Sequence, residues 1–331
     1  MEDTWRGRGL ELAGRSRGPG EGRHPDDDRD VRLRQETLPH DKDSRARALR
    51  AGDLVRLRRG AAVGADHWRG LKPDDRYRVV VEAVAAAQRD AVLSHWSAAV
   101  VWGLPMVGRR DERVHLVQGP AAGGRSRRDV VRHATHVAVP TTIVDDLRVT
   151  SAARTVIDLA RLGGFVAGVA AGDAALRSGT ATRADLEAEV EAAGKGRGAR
   201  AARAVATFAD RRAESPGESL SRCRMHELGL PAPELQHELR DRGRFVARLD
   251  FWWPEHGVVG EFDGRSKYGI DVDTIDPAAA LWREKLREDA IRALGLSVAR
   301  WTWQDAWTAT PMAARLRASG IRPGSGAERA R

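Results

Sequence analysis

The sequence predicts an α+β N-terminal module, containing a partial winged helix, further helices and short strands, followed by an α/β domain on a mixed central sheet. The second half carries the clearest signal. Phe245 to Trp253 alternates Phe245, Ala247, Leu249 and Phe251 with Val246, Arg248, Asp250 and Trp252, which is the period of a strand. Pro254-Glu255-His256-Gly257 is turn chemistry, and Val258 to Asp263 returns as a second strand that Gly264 ends. Helical patterns flank this hairpin on both sides, as alternating helices and strands of an α/β domain require.

Residues 1–43 are rich in Arg, Asp, Glu and Gly and too poor in large apolar residues to offset the entropy of ordering, so disorder is expected there. Residues 44–162 form the first module. Arg45 to Arg50 reads as a short helix ending near Gly52, and Leu54 to Val63 as a β-ribbon turning at Gly60. A helix followed by a basic ribbon is how a winged helix ends, which would bring Arg56, Arg58 and Arg59 to DNA phosphates. A solvated basic hairpin has the same pattern.

Pro73 to Gln88 is expected as a helix with Asp74 and Asp75 in its first turn, and Val92 to Trp102 as a second, closed by Gly103 and Pro105. Ser94 reads as a helix cap and His95 as a core residue; no nucleophile-elbow glycines surround Ser94 or Ser97, so no catalysis is assigned to this half. Val114–Val117, Val130–His133 and Thr141–Leu147 read as short strands.

Residues 163–212 are a helical connector of Ala167–Leu176, Arg183–Ala193 and Ala199–Arg211, with the three-glycine loop Gly194–Gly198 as the joint between modules. In residues 213–320, Ser215 as N-cap, Pro216 and Glu218 form a capping box that opens a helix running to Leu228. After the hairpin come a loop at Tyr268–Thr274, a helix at Asp276–Leu294 and a strand at Ser297–Trp303. The helix is expected to turn Trp282, Leu286, Ala290 and Ala293 inward and Arg283, Glu284, Arg287 and Glu288 outward. Residues 321–331 read as a disordered tail.

Chemistry concentrates on the hairpin. Glu261 and Asp263 stand two apart and share a face, and the hairpin sets Asp250 opposite them. Clustered carboxylates raise one another's pKa, which a cation relieves. Oxygen ligands suit Mg²⁺ or Mn²⁺, ions that activate water and stabilise charge on a phosphodiester. Lys267 is placed to orient the nucleophile or neutralise that charge. The same acidic residues also fit a solvated sheet face, and Asp263-Gly264 an ordinary turn.

The ordered set Asp250, Glu261-x-Asp263-Gly-x-x-Lys267, then a helix with Arg287 and Asp289 and a Trp-rich strand, resembles the Vsr-like branch of the PD-(D/E)XK nuclease superfamily. The resemblance implies a restriction-endonuclease-like domain and a metal-dependent DNA endonuclease. Asp250, Glu261, Asp263 and Lys267 would be its catalytic set, and Asp250, Glu261, Asp263 and the helix-borne Glu218 its ligands for Mg²⁺ or Mn²⁺. Asp263 stands where the superfamily usually has lysine, with Lys267 four positions on, as in relatives of this branch. Capping alone also accounts for Glu218. Lys285, Arg287 and Arg292 would meet DNA phosphates or face solvent.

Upstream, Ser94-His-x-Ser-Ala-Ala…Gly-Leu-Pro105 and Val149-Thr-Ser-Ala-Ala-Arg154-Thr-Val-Ile-Asp158-Leu-Ala-Arg161, with the basic ribbon before them, resemble AbiEi-type antitoxins and transcriptional regulators over Ala48–Arg161. That likeness implies DNA as a partner and a cognate toxin as a further one. It also implies an alternative role as a non-catalytic DNA-binding regulator that retains a nuclease fold.

Composition sets the outer bounds. At 331 residues there is material for two modest domains, and a net charge of +9 with pI near 10.5, dominated by arginine, suits a polyanionic partner. The single cysteine, Cys223, excludes an intramolecular disulfide and a Cys-rich zinc site, which points to a reducing cytosol. No apolar run reaches membrane length and no signal-peptide pattern opens the chain, so a cytoplasmic protein with no membrane partner is expected.

Overall fold

The computed structural model describes residues 42–88, 90–119, 126, 129–135, 138–264 and 277–324. The expectations for residues 1–41, for 265–276 with Lys267, and for 325–331 lie outside the described residues.

The first part opens with helix α1 (Lys42–Ala51) and an antiparallel ribbon of β1 (Leu54–Arg58) and β2 (Ala61–Gly64). Gly60 makes the turn at φ 87°, a conformation glycine takes without a Cβ penalty. Helices α2 (Ala65–Gly70) and α3 (Pro73–Ala86) follow, then β3 (Val92–Leu93) and α4 (His95–Trp102). Val92 and Leu93 were expected in the helix. They instead form a short strand paired to both neighbours, β4 (Val114–Gln118) and, later, β7 (Leu147–Thr150). With β5 (Val130–Ala134) and β6 (Thr141–Val144) this makes a five-stranded sheet in the order β5-β4-β3-β7-β6.

Helices α5 (Ala152–Gly163), α6 (Phe165–Ser178), α7 (Arg183–Ala193) and α8 (Ala199–Phe208) pack on this part, and one apolar cluster runs from Tyr77 through Ala209 to Cys223. The connector therefore shares the first core. Its glycine loop packs on α5: Arg161 donates to the carbonyls of Ala193 and Gly194 at 3.0 Å each, and a Cβ on Gly198 would fall 2.3 Å from the Arg161 carbonyl oxygen. The glycines there serve close packing as much as turning. At Thr182 the capping box with Asp185 is complete, so Thr182→Ala is expected to cost about 1 kcal/mol, read as a shifted denaturation midpoint.

The second part runs α9 (Pro216–Glu227), β8 (Glu234–Asp241), β9 (Arg244–Trp253), β10 (Val258–Asp263), α10 (Pro277–Ala293), β11 (Ser297–Thr302), α11 (Trp303–Thr308) and α12 (Thr310–Ala318). The sheet order is β11-β10-β9-β8, with β10–β11 parallel and the other pairs antiparallel, so the sheet is mixed. This arrangement is consistent with a restriction-endonuclease-like architecture. Its main core joins Leu220, Met225, Phe251, Trp253 and Trp301 to Met312 and Leu316 of α12; Ile321, expected in a disordered tail, is fully buried there. Burial of one large aliphatic side chain is worth about 1.5–3 kcal/mol, enough to hold the end of the chain.

Helix α10 corrects the expected facing. Trp282 and Leu286 are more than half exposed, and Glu284, Arg287 and Glu288 turn toward the sheet with Ile291. The charged residues face inward because they have partners there. Arg287 meets Glu261 of β10, and Arg300 of β11 pairs with Glu284 and, at 3.1 Å, with Glu288.

The two cores are joined through a buried ion pair. Asp173 of α6, fully buried, accepts from Arg222 of α9 at 2.7 Å, from Ser219 at 2.8 Å and from the Asp210 N–H at 2.7 Å. Arg222 also donates to the Phe208 carbonyl and lies over its ring at 4.6 Å. Among the described residues no helix is long and apolar enough to cross a membrane.

Candidate functional site

Four elements deliver polar groups to one end of the second sheet. Helix α9 begins at Ser215, whose hydroxyl accepts from the Glu218 N–H, and this fixes Glu218 in the first turn. The Glu218 carboxylate does not close the expected capping box onto Ser215. It accepts from the Glu214 N–H and from Gln236 Nε2, both at 2.9 Å. Gly217 lets the helix come this close, because a Cβ there would fall 1.9 Å from Phe262 Cζ of β10. Gly217→Ala is therefore expected to push α9 off the sheet and destabilise the fold by about 1–3 kcal/mol, measurable as a lowered denaturation midpoint.

Strand alternation breaks at this spot. Gln236 sits at φ 54°, uncommon for a non-glycine residue, between the pairs Leu235↔Phe251 and His237↔Leu249. Leu235, Phe251 and Trp253 join the α9 core, whereas Leu239, Ala247, Leu249 and Trp252 join a smaller cluster with Ile291 of α10. The irregularity aims the Gln236 amide at Glu218 and Asp250. Continuing the β9–β10 register from Gly260↔Phe251 sets Asp250 facing Glu261, and Asp250 Oδ2 accepts from the Phe262 N–H at 2.9 Å.

The electrostatics follow from burial and from like charge. Burial, reinforced by the charge of Glu218, pushes the Asp250 carboxyl up to about 6. Burial also raises Glu218 above the ordinary carboxylate range, against the hydrogen bonds it accepts. Glu261 is raised by burial and by Asp250, although Arg287 donates to both its oxygens at 3.1 and 3.0 Å. Arg287 and Arg300 together hold Glu284 down at about 2.

The sequence-predicted residues thus divide. Glu218, Asp250 and Glu261 are brought together, and Asp263 stands exposed at the end of β10. Lys267 lies outside the described residues, and the described residues do not assemble an Asp, Glu and Lys set. Gln236 was missed in the sequence; its signal is the alternation of Leu235, His237 and Leu239 ahead of an Asp-Arg-Gly turn. Arg287, expected to face DNA, is a partner of Glu261 and Glu284. Lys285 is exposed, with Nζ 5.5 Å from the Trp282 ring centroid. On the ribbon Arg56 and Arg59 are exposed, while Arg58 turns inward to the Ala83 and Val84 carbonyls of α3 at 3.3 and 3.4 Å.

A second cluster lies in the first part. Among the described residues, His95, His115 and His133 are the one group of three metal-ligating side chains whose donor atoms all lie within 4.8 Å of one another. Burial lowers all three pKa values, His115 and His133 to about 4 and His95 well below its ordinary value, so the rings are neutral at pH 7. Ser94 does not cap α4; its hydroxyl meets His95 Nδ1 at 3.0 Å, and Asp158 Oδ2 lies 3.7 Å from the same nitrogen. A proton relay needs Ser and Asp on opposite ring nitrogens, so these three residues do not form a hydrolytic triad.

Fold and sites together define a mixed α/β protein with a histidine cluster able to coordinate a metal ion. No family model matches the chain. It is 34% identical over 149 residues to two uncharacterized proteins of Mycobacterium tuberculosis, one from each of two strains; the match covers 45% of this chain and 52% of each relative. The chain thus spans about half the length of the curated relatives it matches.

Proposed function

We propose that the second part is a Vsr-like, PD-(D/E)XK-type metal-dependent DNA endonuclease, joined to an AbiEi-like DNA-binding module. The observation that supports this most is the meeting of Glu218, Asp250 and Glu261 from α9, β9 and β10, with all three carboxyls raised. Proteins keep such repulsion where a cation is to be held. Oxygen donors of this type suit Mg²⁺ or Mn²⁺, and an ion would have to draw the three carboxylates closer, since they do not converge within 4.8 Å as the histidine nitrogens do; Gln236 Oε1, buried without a hydrogen-bond partner, is a further oxygen there. When bound, the ion supplies a Lewis acid and an activated water.

The chain's own residues do the rest. Gln236 fixes Glu218, the Phe262 N–H fixes Asp250, and Gly217 keeps α9 against the sheet. Lys267 would neutralise charge developing on the phosphodiester. Exposed Arg56 and Arg59 on the ribbon would contact phosphates without reading sequence. Plasmid DNA incubated with the full chain and Mg²⁺ or Mn²⁺ is expected to be nicked, with loss of nicking in Glu261→Gln. Because Asp250 must be ionised, activity should rise with pH through about 6 and level off above it. No nicking with either ion, or equal nicking by the variant, would reject the enzyme.

One observation favours the second reading, a non-catalytic regulator or antitoxin. The Arg287 guanidinium already neutralises Glu261 with two hydrogen bonds. That reading predicts DNA binding without cleavage, weakened by neutralising Arg56 and Arg59 in a salt-dependent way.

A further inference from the structure

The three imidazoles meet where α4, β4 and β5 come together. In the parallel β4–β5 pair His115 faces Val131 and Val117 faces His133, so alternation sends both histidines to one side of the sheet. The His115 N–H donates to Ser97 Oγ of α4 at 2.8 Å, which ties the strand to the helix that carries His95. His95 itself stands at φ 49° in the first turn, backbone strain of the kind held at ligand sites.

The ring nitrogens converge as a donor set, all within 4.8 Å of one another. His115 Nδ1 and His133 Nε2 lie 2.8 Å apart and share one proton, and the His95 and His133 rings stack with centroids 3.7 Å apart. His115, 1% exposed, keeps Nε2 buried with no hydrogen-bond partner, and Asp158 Oδ2 is buried without one as well.

We infer that His95, His115 and His133 bind one transition-metal ion of the zinc class, with Asp158 as the carboxylate that positions His95 from behind. Neutral imidazoles suit Zn²⁺, Cu²⁺ and Ni²⁺ and are poor ligands for Mg²⁺, which separates this site chemically from the carboxylates of the second part. Since His95 Nδ1 meets the Ser94 hydroxyl, with Asp158 Oδ2 3.7 Å away on the same side, its Nε2 is the ligating atom, and the carboxylate stands behind the imidazole as in zinc sites. One ring of the His115–His133 pair changes tautomer on binding, so no proton is released at pH 7. The two nitrogens move apart to about 3.3 Å, as bonds of about 2.05 Å to a tetrahedral ion require, and the stacked planes tilt toward it. Partly exposed His133 is the side from which the ion enters.

The test uses the full chain, stripped with a chelator and dialysed against Zn²⁺ or Co²⁺ at neutral pH. The expected result is one Zn²⁺ retained per chain, and a visible Co²⁺ spectrum of a four-coordinate nitrogen-rich site. Both should persist in the Asp250→Asn/Glu261→Gln variant, which disables the acidic site, and both should vanish in His133→Gln. Asp158→Asn should weaken binding about ten- to a hundredfold while keeping the spectrum. If His133→Gln fails to fold by circular dichroism, competition between wild-type protein and a chromophoric chelator gives the affinity instead. Weak, six-coordinate or absent binding in either experiment, or binding that disappears with the acidic residues, would overturn the site.

Discussion

Asp250→Asn is expected to make the metal-free protein more stable by about 1–3 kcal/mol at neutral pH and, under the proposed nuclease function, to abolish cleavage. In the folded chain burial, with Glu218 beside it, puts Asp250 at about 6, against 3.8 for an ordinary aspartate. The ionised form is therefore penalised by folding. That penalty is fully present above about pH 6 and absent below about pH 3.8, so the gain from Asn should shrink to nothing as the pH falls through that window. Asn still accepts from the Phe262 N–H, so the sheet contact is kept. Denaturation midpoints of both proteins from pH 4 to 8 measure the effect. A variant less stable than wild type at pH 7.5 would mean that Asp250 is a structural anchor, and the case for a cation site would fall.

The largest loss of stability is expected from Asp173→Ala, about 3–5 kcal/mol, because it leaves the Arg222 guanidinium buried without its counter-charge. The same change removes the acceptors of the Ser219 hydroxyl and the Asp210 N–H. Asp173→Asn keeps an acceptor and should cost less. Since Asp173 stands on α6 and Arg222 on α9, whose Cys223 packs in the first core and Leu220 in the second, both parts should lose stability together. Two separate thermal transitions in Asp173→Ala, with the second part at its wild-type temperature, would contradict this.

The hairpin and the α9 start were legible because each rests on local signals, period-2 alternation, a Ser-Pro start and turn residues; Glu218 was named only through a resemblance, and Asp263, grouped with Asp250 and Glu261 on the hairpin, stands exposed at the strand end. What the sequence did not show comes from long-range pairing. β8 carries the alternation of Leu235, His237 and Leu239, but the left-handed backbone at Gln236 that aims its amide is stabilised only by tertiary partners and leaves no mark in the sequence. The facing of α10 was misread because hydrophobic patterning presumes an apolar interior, and here the sheet offers Glu261 and Arg300 instead. The histidine cluster was invisible for a different reason. His95 reads as core beside Ser94, and only the β4–β5 register brings His115 and His133, eighteen positions apart, onto it.

The inverted helix α10 has a consequence for how the protein responds to its medium. Among its described side chains Ile291 is the one fully buried apolar anchor, and charge supplies the remaining grip on the sheet. Apolar packing tightens in concentrated salt, but half-buried ion pairs loosen as the Debye length falls to about 3 Å at 1 M. Ionic strength thus sets how firmly Arg287 is clasped on Glu261, and with it, under the proposed function, how readily a divalent ion would take that carboxylate.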